Sequence, residues 1–136
     1  MTECVPKQHS SGEQDEEQER GIYLGYSDNF RENTVKRAGQ AEQISSLINA
    51  TEYPLIVCGD FNDSPISYTH RVVGEGLNDA FVESGNGFGI SYNQNHFYFR
   101  IDNILLSKNL KSYRCTVDNT IKSSDHYPIW CYVAEK

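Results

Sequence analysis

The run Leu55-Ile56-Val57-Cys58 is continuously apolar and stops abruptly at Gly59-Asp60-Phe61-Asn62-Asp63. A short uninterrupted apolar run closed by turn residues reads as a β-strand buried on both faces. The flanking sequence offers cover for it. Upstream, Val35, Ala38, Ala41, Ile44, Leu47 and Ile48 recur at spacings of three and four, which predicts one apolar face of a helix over 35–49. Asn33 or Thr34 could cap it, and Glu52-Tyr53-Pro54 ends it. Downstream, Ser64-Pro65 suits a helix start running to about Val73, and Leu77 to Glu83 suits another turn or two. Gly85-Asn86-Gly87 and Gly89 mark a loop. Arg100 to Leu106, Tyr113 to Asp118 and Tyr127 to Val133 follow as further strands. The expected class is α+β, with one mainly mixed sheet and flanking helices.

The first 35 residues stand apart from this pattern. They carry 8 acids against 3 bases, and Ser10 to Arg20 holds no apolar residue. Low hydrophobicity with like charge predicts an acidic, flexible or loop segment over 1–35, with Ile22-Tyr23-Leu24 as a short strand or turn. At 136 residues the chain suits one domain, here placed over 36–136. Its net charge of -7 argues against a broad basic footprint for duplex DNA. No apolar run approaches the ~20 residues of a membrane span, and Met1 to Lys7 lacks an apolar signal core. The expected compartment is therefore the cytoplasm. Cys4, Cys58, Cys115 and Cys131 show no metal or redox spacing, and reduced thiols are expected, with Cys58 and Cys131 as buried small hydrophobes.

Three of the strands are flanked by reactive side chains. Asp60 and Asn62 follow the first, Asp102 opens the second, and Asp125 and His126 precede the last. Carboxylates and an amide carbonyl are hard oxygen donors suited to Mg²⁺ or Mn²⁺. An imidazole oriented by a carboxylate can move a proton or hold a phosphate oxygen. Together these are the parts of a metal-assisted phosphoester hydrolase. Each part alone has a plainer reading. The Gly59 to Asn62 run is a common turn, Asp102 could pair with Arg100, and Ser124-Asp125-His126 could be a polar turn. A calcium loop starting at Asp60 fails, with Pro65 and Arg71 at the positions that need Gly and Glu. His9, His70 and His96 lack ligand spacing. Tyr92, Phe97, Tyr98 and Phe99 could stack on a base or sugar, or alternate into the core.

Taken in order, Val57-Cys58-Gly59-Asp60-Phe61-Asn62, Arg100-Ile101-Asp102-Asn103-Ile104-Leu105 and Ser124-Asp125-His126-Tyr127-Pro128-Ile129 resemble the C-terminal half of the endonuclease/exonuclease/phosphatase superfamily. Arg37 and Gln40 on the upstream helix fit the same pattern. The resemblance implies part of a four-layer α/β/β/α sandwich. It implies that Asp60 orients or deprotonates the attacking water, that Asn62 bonds the scissile phosphate, and that Asp102 orients His126, which contacts the phosphate. It also implies Mg²⁺ or Mn²⁺ held by Asp125, with Asp60 and Asn62 as further candidate ligands. The family's N-terminal metal-binding Glu has no counterpart, so the expectation is an incomplete phosphodiester or phosphomonoester hydrolase. The alternative is an inactive module on the same fold that binds a phosphate ligand or a protein. Nucleic acid, a phospholipid head group and a small phosphate ester all remain open as substrate. An uncovered sheet face further predicts self-association or a complementing N-terminal chain.

Overall fold

The computed structural model describes residues 12–94 and 98–136, with side chains described from Arg31 onward. The chain divides into two compact units, Met1–Lys36 and Arg37–Lys136. Helix α1 (Gly12–Asn49) contributes to both. It therefore starts well before the expected position near Val35, and Ile22-Tyr23-Leu24 lies within it rather than in a strand. The loop reading of 12–35 weighed like-charge repulsion, whereas Glu, Gln and Arg are strong helix formers that need no apolar face. In the first unit Lys36 Nζ meets Glu32 Oε1 at 2.8 Å, one turn apart on the exposed helix surface.

The second unit is built on two antiparallel sheets. One has the order β1-β3-β2, from β1 (Ile56–Asp60), β2 (Asn78–Asp79) and β3 (Asp102–Leu106). The other pairs β4 (Leu110–Val117) with β5 (Ile129–Glu135). Two short helices lie between β1 and β3. Ser67 caps α2 (Tyr68–Val73) through its side chain, and Asp79 caps α3 (Ala80–Ser84) by accepting from the Phe81 and Val82 N–H groups. Strand β3 is the middle of the packing, because its successive side chains point to opposite faces. Leu105 joins Ala41 and Val73 on one face, with Ile48, Val57 and Phe61 around them. Ile104 and Leu106 join Ala80, Phe81, Leu110 and Cys115 on the other, against Ile129, Cys131 and Val133 of β5. The result is helix, sheet and sheet in succession, an α+β arrangement of the α/β/β/α sandwich kind.

Several expectations change on this frame. The strands pair antiparallel in two sheets, not in one mixed sheet. Strand β1 is not buried on both faces: Val57 is half-buried, but Ile56 and Cys58 are exposed. Among the described residues it pairs with β3 alone, which makes it an edge, and only the face turned to α1 is covered. Cys131 is half-buried and Cys115 buried. The α1 stripe is likewise covered only at Ala41 and partly at Ala38 and Ile48, while Val35, Ile44 and Leu47 face solvent. Asn78-Asp79, expected to be helical, forms β2 because its backbone pairs with Leu105 and Leu106. In β4 a bulge between Tyr113 and Thr116 places Tyr113 and Arg114 outward and returns Cys115 to the core. Among the described residues no helix is long and apolar enough to cross a membrane.

Candidate functional site

The antiparallel register places Asp60, the last residue of β1, directly opposite Asp102, the first of β3. Two carboxylates thus meet at one end of the sheet because each sits where its strand stops or starts. Asp60 is held by its own turn: its Oδ1 accepts the Asn62 N–H at 2.7 Å, with Asn62 at φ 49°. Asn is among the few residues that tolerate this left-handed conformation. The other Asp60 oxygen, Oδ2, faces His126 Nε2 at 4.0 Å. His126 Nδ1 donates to Asp102 Oδ2 at 2.8 Å. The carboxylate can only accept, so this bond fixes the imidazole tautomer and its orientation.

The hydrogen bond to Asp102 raises the His126 pKa above its ordinary 6.5, against partial burial, with the charges of Asp102, Asp60 and Asp125 adding to the rise. The Tyr92 ring lies tilted against the imidazole at 5.2 Å between centroids. Before the histidine, the Ser124 hydroxyl accepts the His126 N–H at 3.2 Å and meets Asp125 Oδ1 at 3.1 Å. Asp125 is exposed on this turn. Of the residues singled out in the sequence, Asp60, Asp102 and His126 come together with one ligand atom each within 4.8 Å of the others. Asn62 reaches this group through its backbone bond to Asp60, and Asp125 lies outside the trio. Arg37 and Gln40 line a small recess of about 90 Å³ that also takes in Asp60 and Phe61. A larger cavity of about 600 Å³, lined by Asn93, Tyr98, Cys115 and Tyr127 among others, opens elsewhere. Neighbouring residues on extended backbone point to opposite faces, so Asn93 and Tyr127 turn away from Tyr92 and His126. His9, His96, Phe97 and Cys4 lie outside the described residues.

The residues that support this trio gave little sequence signal. Ser91 is fully buried, and its Oγ accepts the N–H groups of Ile101 and Asp102, each at 3.1 Å. Arg100 is buried and does not pair with Asp102. It donates to Asp79 Oδ2 at 2.6 Å and to Asn103 Oδ1 at 2.5 Å. Asp79 also accepts from His70 Nε2 at 3.0 Å. Burial alone would raise the Asp79 pKa, but the bonds from His70 and Arg100 and the Arg100 charge outweigh it and hold it at about 2. A buried cation is rarely left unpaired, so Arg100 could have been expected to find an acid, but nothing local in the sequence points to Asp79, 21 residues earlier.

Asp60 and Asp102 bring carboxylate oxygens, the hard donors that a divalent cation such as Mg²⁺ or Mn²⁺ takes, beside the imidazole of His126. Comparison with known proteins bears on what such a group does. The model of the Endonuclease/Exonuclease/phosphatase family matches residues 14–126. No curated protein matches the chain closely. Among solved structures, an endonuclease/exonuclease/phosphatase from Bacteroides vulgatus is 20% identical with a TM-score of 0.61, over 74% of this chain and 44% of its own. A family protein from Bacteroides thetaiotaomicron is 20% identical with a TM-score of 0.58, over 74% and 45%. A mannosyl-6-phosphatase from the same species is 21% identical with a TM-score of 0.54, over 72% and 45%. The chain spans less than half the length of these structures.

Proposed function

The chain belongs to the endonuclease/exonuclease/phosphatase family, and from that premise we propose that it carries the water-activating and phosphate-binding part of a metal-dependent phosphoester hydrolase. The observation that carries this reading is the His126–Asp102 bond of 2.8 Å with Asp60 on the far side of the imidazole, 4.0 Å from Nε2. With Nδ1 occupied by Asp102, His126 has only Nε2 free to meet a substrate. The Asp102 bond raises its pKa, which favours the imidazolium, the form whose Nε2–H can bind a phosphate oxygen and stabilise the charge that develops there. Asp60 Oδ1 is tied to the Asn62 backbone, so Oδ2 is the oxygen left to take a proton from an attacking water. Asn62 stands at the same turn to bond the phosphate. Asp102 touches no substrate in this scheme; it holds the His126 ring in its productive orientation.

Mg²⁺ or Mn²⁺ would be held by Asp60, Asn62 and Asp125, and would stabilise charge on the leaving oxygen. The carboxylates of Asp60 and Asp102, opposite one another at one end of the sheet, repel one another, and a divalent cation beside them would relieve that repulsion. The mannosyl-6-phosphatase among the relatives favours a small phosphate ester as substrate over a nucleic acid, in keeping with the acidic balance of the chain.

The test is hydrolysis of a nitrophenyl phosphodiester and a nitrophenyl phosphomonoester with Mg²⁺, with Mn²⁺ and with chelator, comparing the chain with His126→Ala. Metal-dependent turnover that falls by about 10²–10⁴-fold in the variant supports the reading. Turnover unchanged by His126→Ala refutes it. Phosphate binding without turnover in the unaltered chain would favour the inactive binding module.

A further inference from the structure

The geometry points to Ser91 as the positioning residue that sets the distance between Asp102 and His126, an inference that rests on the hydrolase reading for its catalytic consequence. Asp102 and His126 lie 24 residues apart and come from segments that share no ladder. Among the described residues strand β3 pairs only with β1 and β2, whereas His126 forms a bridge with Tyr92, which in turn bridges Phe99. Ser91 joins the two sides. Its Oγ accepts the Ile101 and Asp102 N–H groups at 3.1 Å each, while its carbonyl accepts the Tyr127 N–H at 2.7 Å. Its own N–H donates to the Phe99 carbonyl at 3.2 Å. One residue therefore grips the backbone at Asp102 and the backbone beside His126.

Two features make this grip specific. Ser91 is fully buried, so no water can replace its oxygen if the hydroxyl is removed. The Asp60–Asp102 juxtaposition is fixed separately, by the β1–β3 ladder and by the Phe61 N–H on the Ile101 carbonyl at 2.8 Å. Loss of the Ser91 hydroxyl thus acts on the His126–Asp102 separation and spares the two-carboxylate register. A displacement of about 1 Å at such a contact is enough to lower turnover by about a hundredfold.

The experiment uses the whole chain and its variants Ser91→Ala, Ser91→Thr and Ser112→Ala. Ser112 is the control: it is equally buried and bonded to Ala80 and Glu83, on the sheet away from the trio. The readout is the far-downfield proton resonance of His126 Nδ1–H, assigned by its loss in His126→Ala. The unaltered chain and Ser91→Thr, which keeps the oxygen, are expected to show it. Ser91→Ala is expected to lose it to solvent exchange or move it upfield, and Ser112→Ala to keep it. If Ser91→Ala does not fold, Ser91→Cys, which offers only a weak acceptor, is read in the same way. The inference is overturned if the unaltered chain lacks the resonance. It is also overturned if Ser91→Ala keeps the resonance, or if Ser112→Ala moves it as far. Phosphoester turnover is measured alongside, with kcat expected to fall and KM to stay in Ser91→Ala. A resonance that depends on Ser91 in a chain without turnover supports the positioning role and counts against the hydrolase reading alone.

Discussion

Replacing Arg100 with Met should destabilise the second unit by about 3 kcal/mol near pH 7, and the deficit should shrink in acid. The side chain of Arg100 is 4% exposed and that of Asp79 11%, so the pair is shielded from water. The Asp79 carboxyl is held at about 2 against an ordinary 3.8. A depression of this size corresponds to about 2–3 kcal/mol of stability at neutral pH. Removing one partner of a buried pair typically costs about 3–5 kcal/mol, because the other charge is left uncompensated. Asp79 would still keep His70 and the two N–H groups of α3, so the lower end of that range applies. The sign follows from the direction of the shift. A depressed folded-state pKa gives stability that is present above the unfolded value and lost as pH falls through the folded one. The gap between the unaltered chain and Arg100→Met should therefore narrow between about pH 4 and about pH 2. Urea unfolding followed by Trp130 fluorescence, repeated across that range, measures it. A loss of less than about 1 kcal/mol at pH 7, or a gap that stays constant in acid, would show that the pair is not the buried, charge-compensated unit described here.

Three further outcomes follow from the same geometry. In metal-free protein, Asp102→Asn should lower the His126 pKa, since the Asp102 bond is the first cause of its rise; histidine NMR titration reads this, and identical curves would contradict it. Because that pKa is raised, the stability from the pair is full below about 6.5 and is lost as pH climbs through the folded value. Gly89→Ala should lower the melting temperature, because Gly89 sits at φ +62° and an added Cβ would lie 2.5 Å from Phe81 Cζ; a strained, overpacked site of this kind costs about 1–3 kcal/mol, and an unchanged melt would refute the clash. Among the described cysteines, exposed Cys58 should be labelled first by iodoacetamide at about pH 8. Buried Cys115, whose thiol is pushed up to about 12 chiefly by burial, should be labelled only on unfolding; peptide mass spectrometry shows the order, and early labelling of Cys115 would contradict its burial.

The sequence alone carried the parts of this protein that depend on local pattern. Apolar runs closed by Gly-Asp or opened by Asp-Asn marked β1 and β3, and the order of the three motifs named Asp60, Asp102 and His126, which the fold brings together. Those signals survive without a partner, since a strand end and its polar cap are neighbours in the chain. Partnership itself is a tertiary matter. Only the fold shows that β1 is an edge with Ile56 and Cys58 uncovered, because an apolar run does not say how many neighbours it will find. Only the fold joins Arg100 to Asp79 and not to Asp102 two residues away, because β2 pairs with β3 and so brings Asp79 beside a segment 21 residues further along the chain. Ser91 is the extreme case. A lone serine after a glycine-rich loop carries no periodicity and no motif, and its importance comes entirely from three backbone segments closing around one buried oxygen and one peptide.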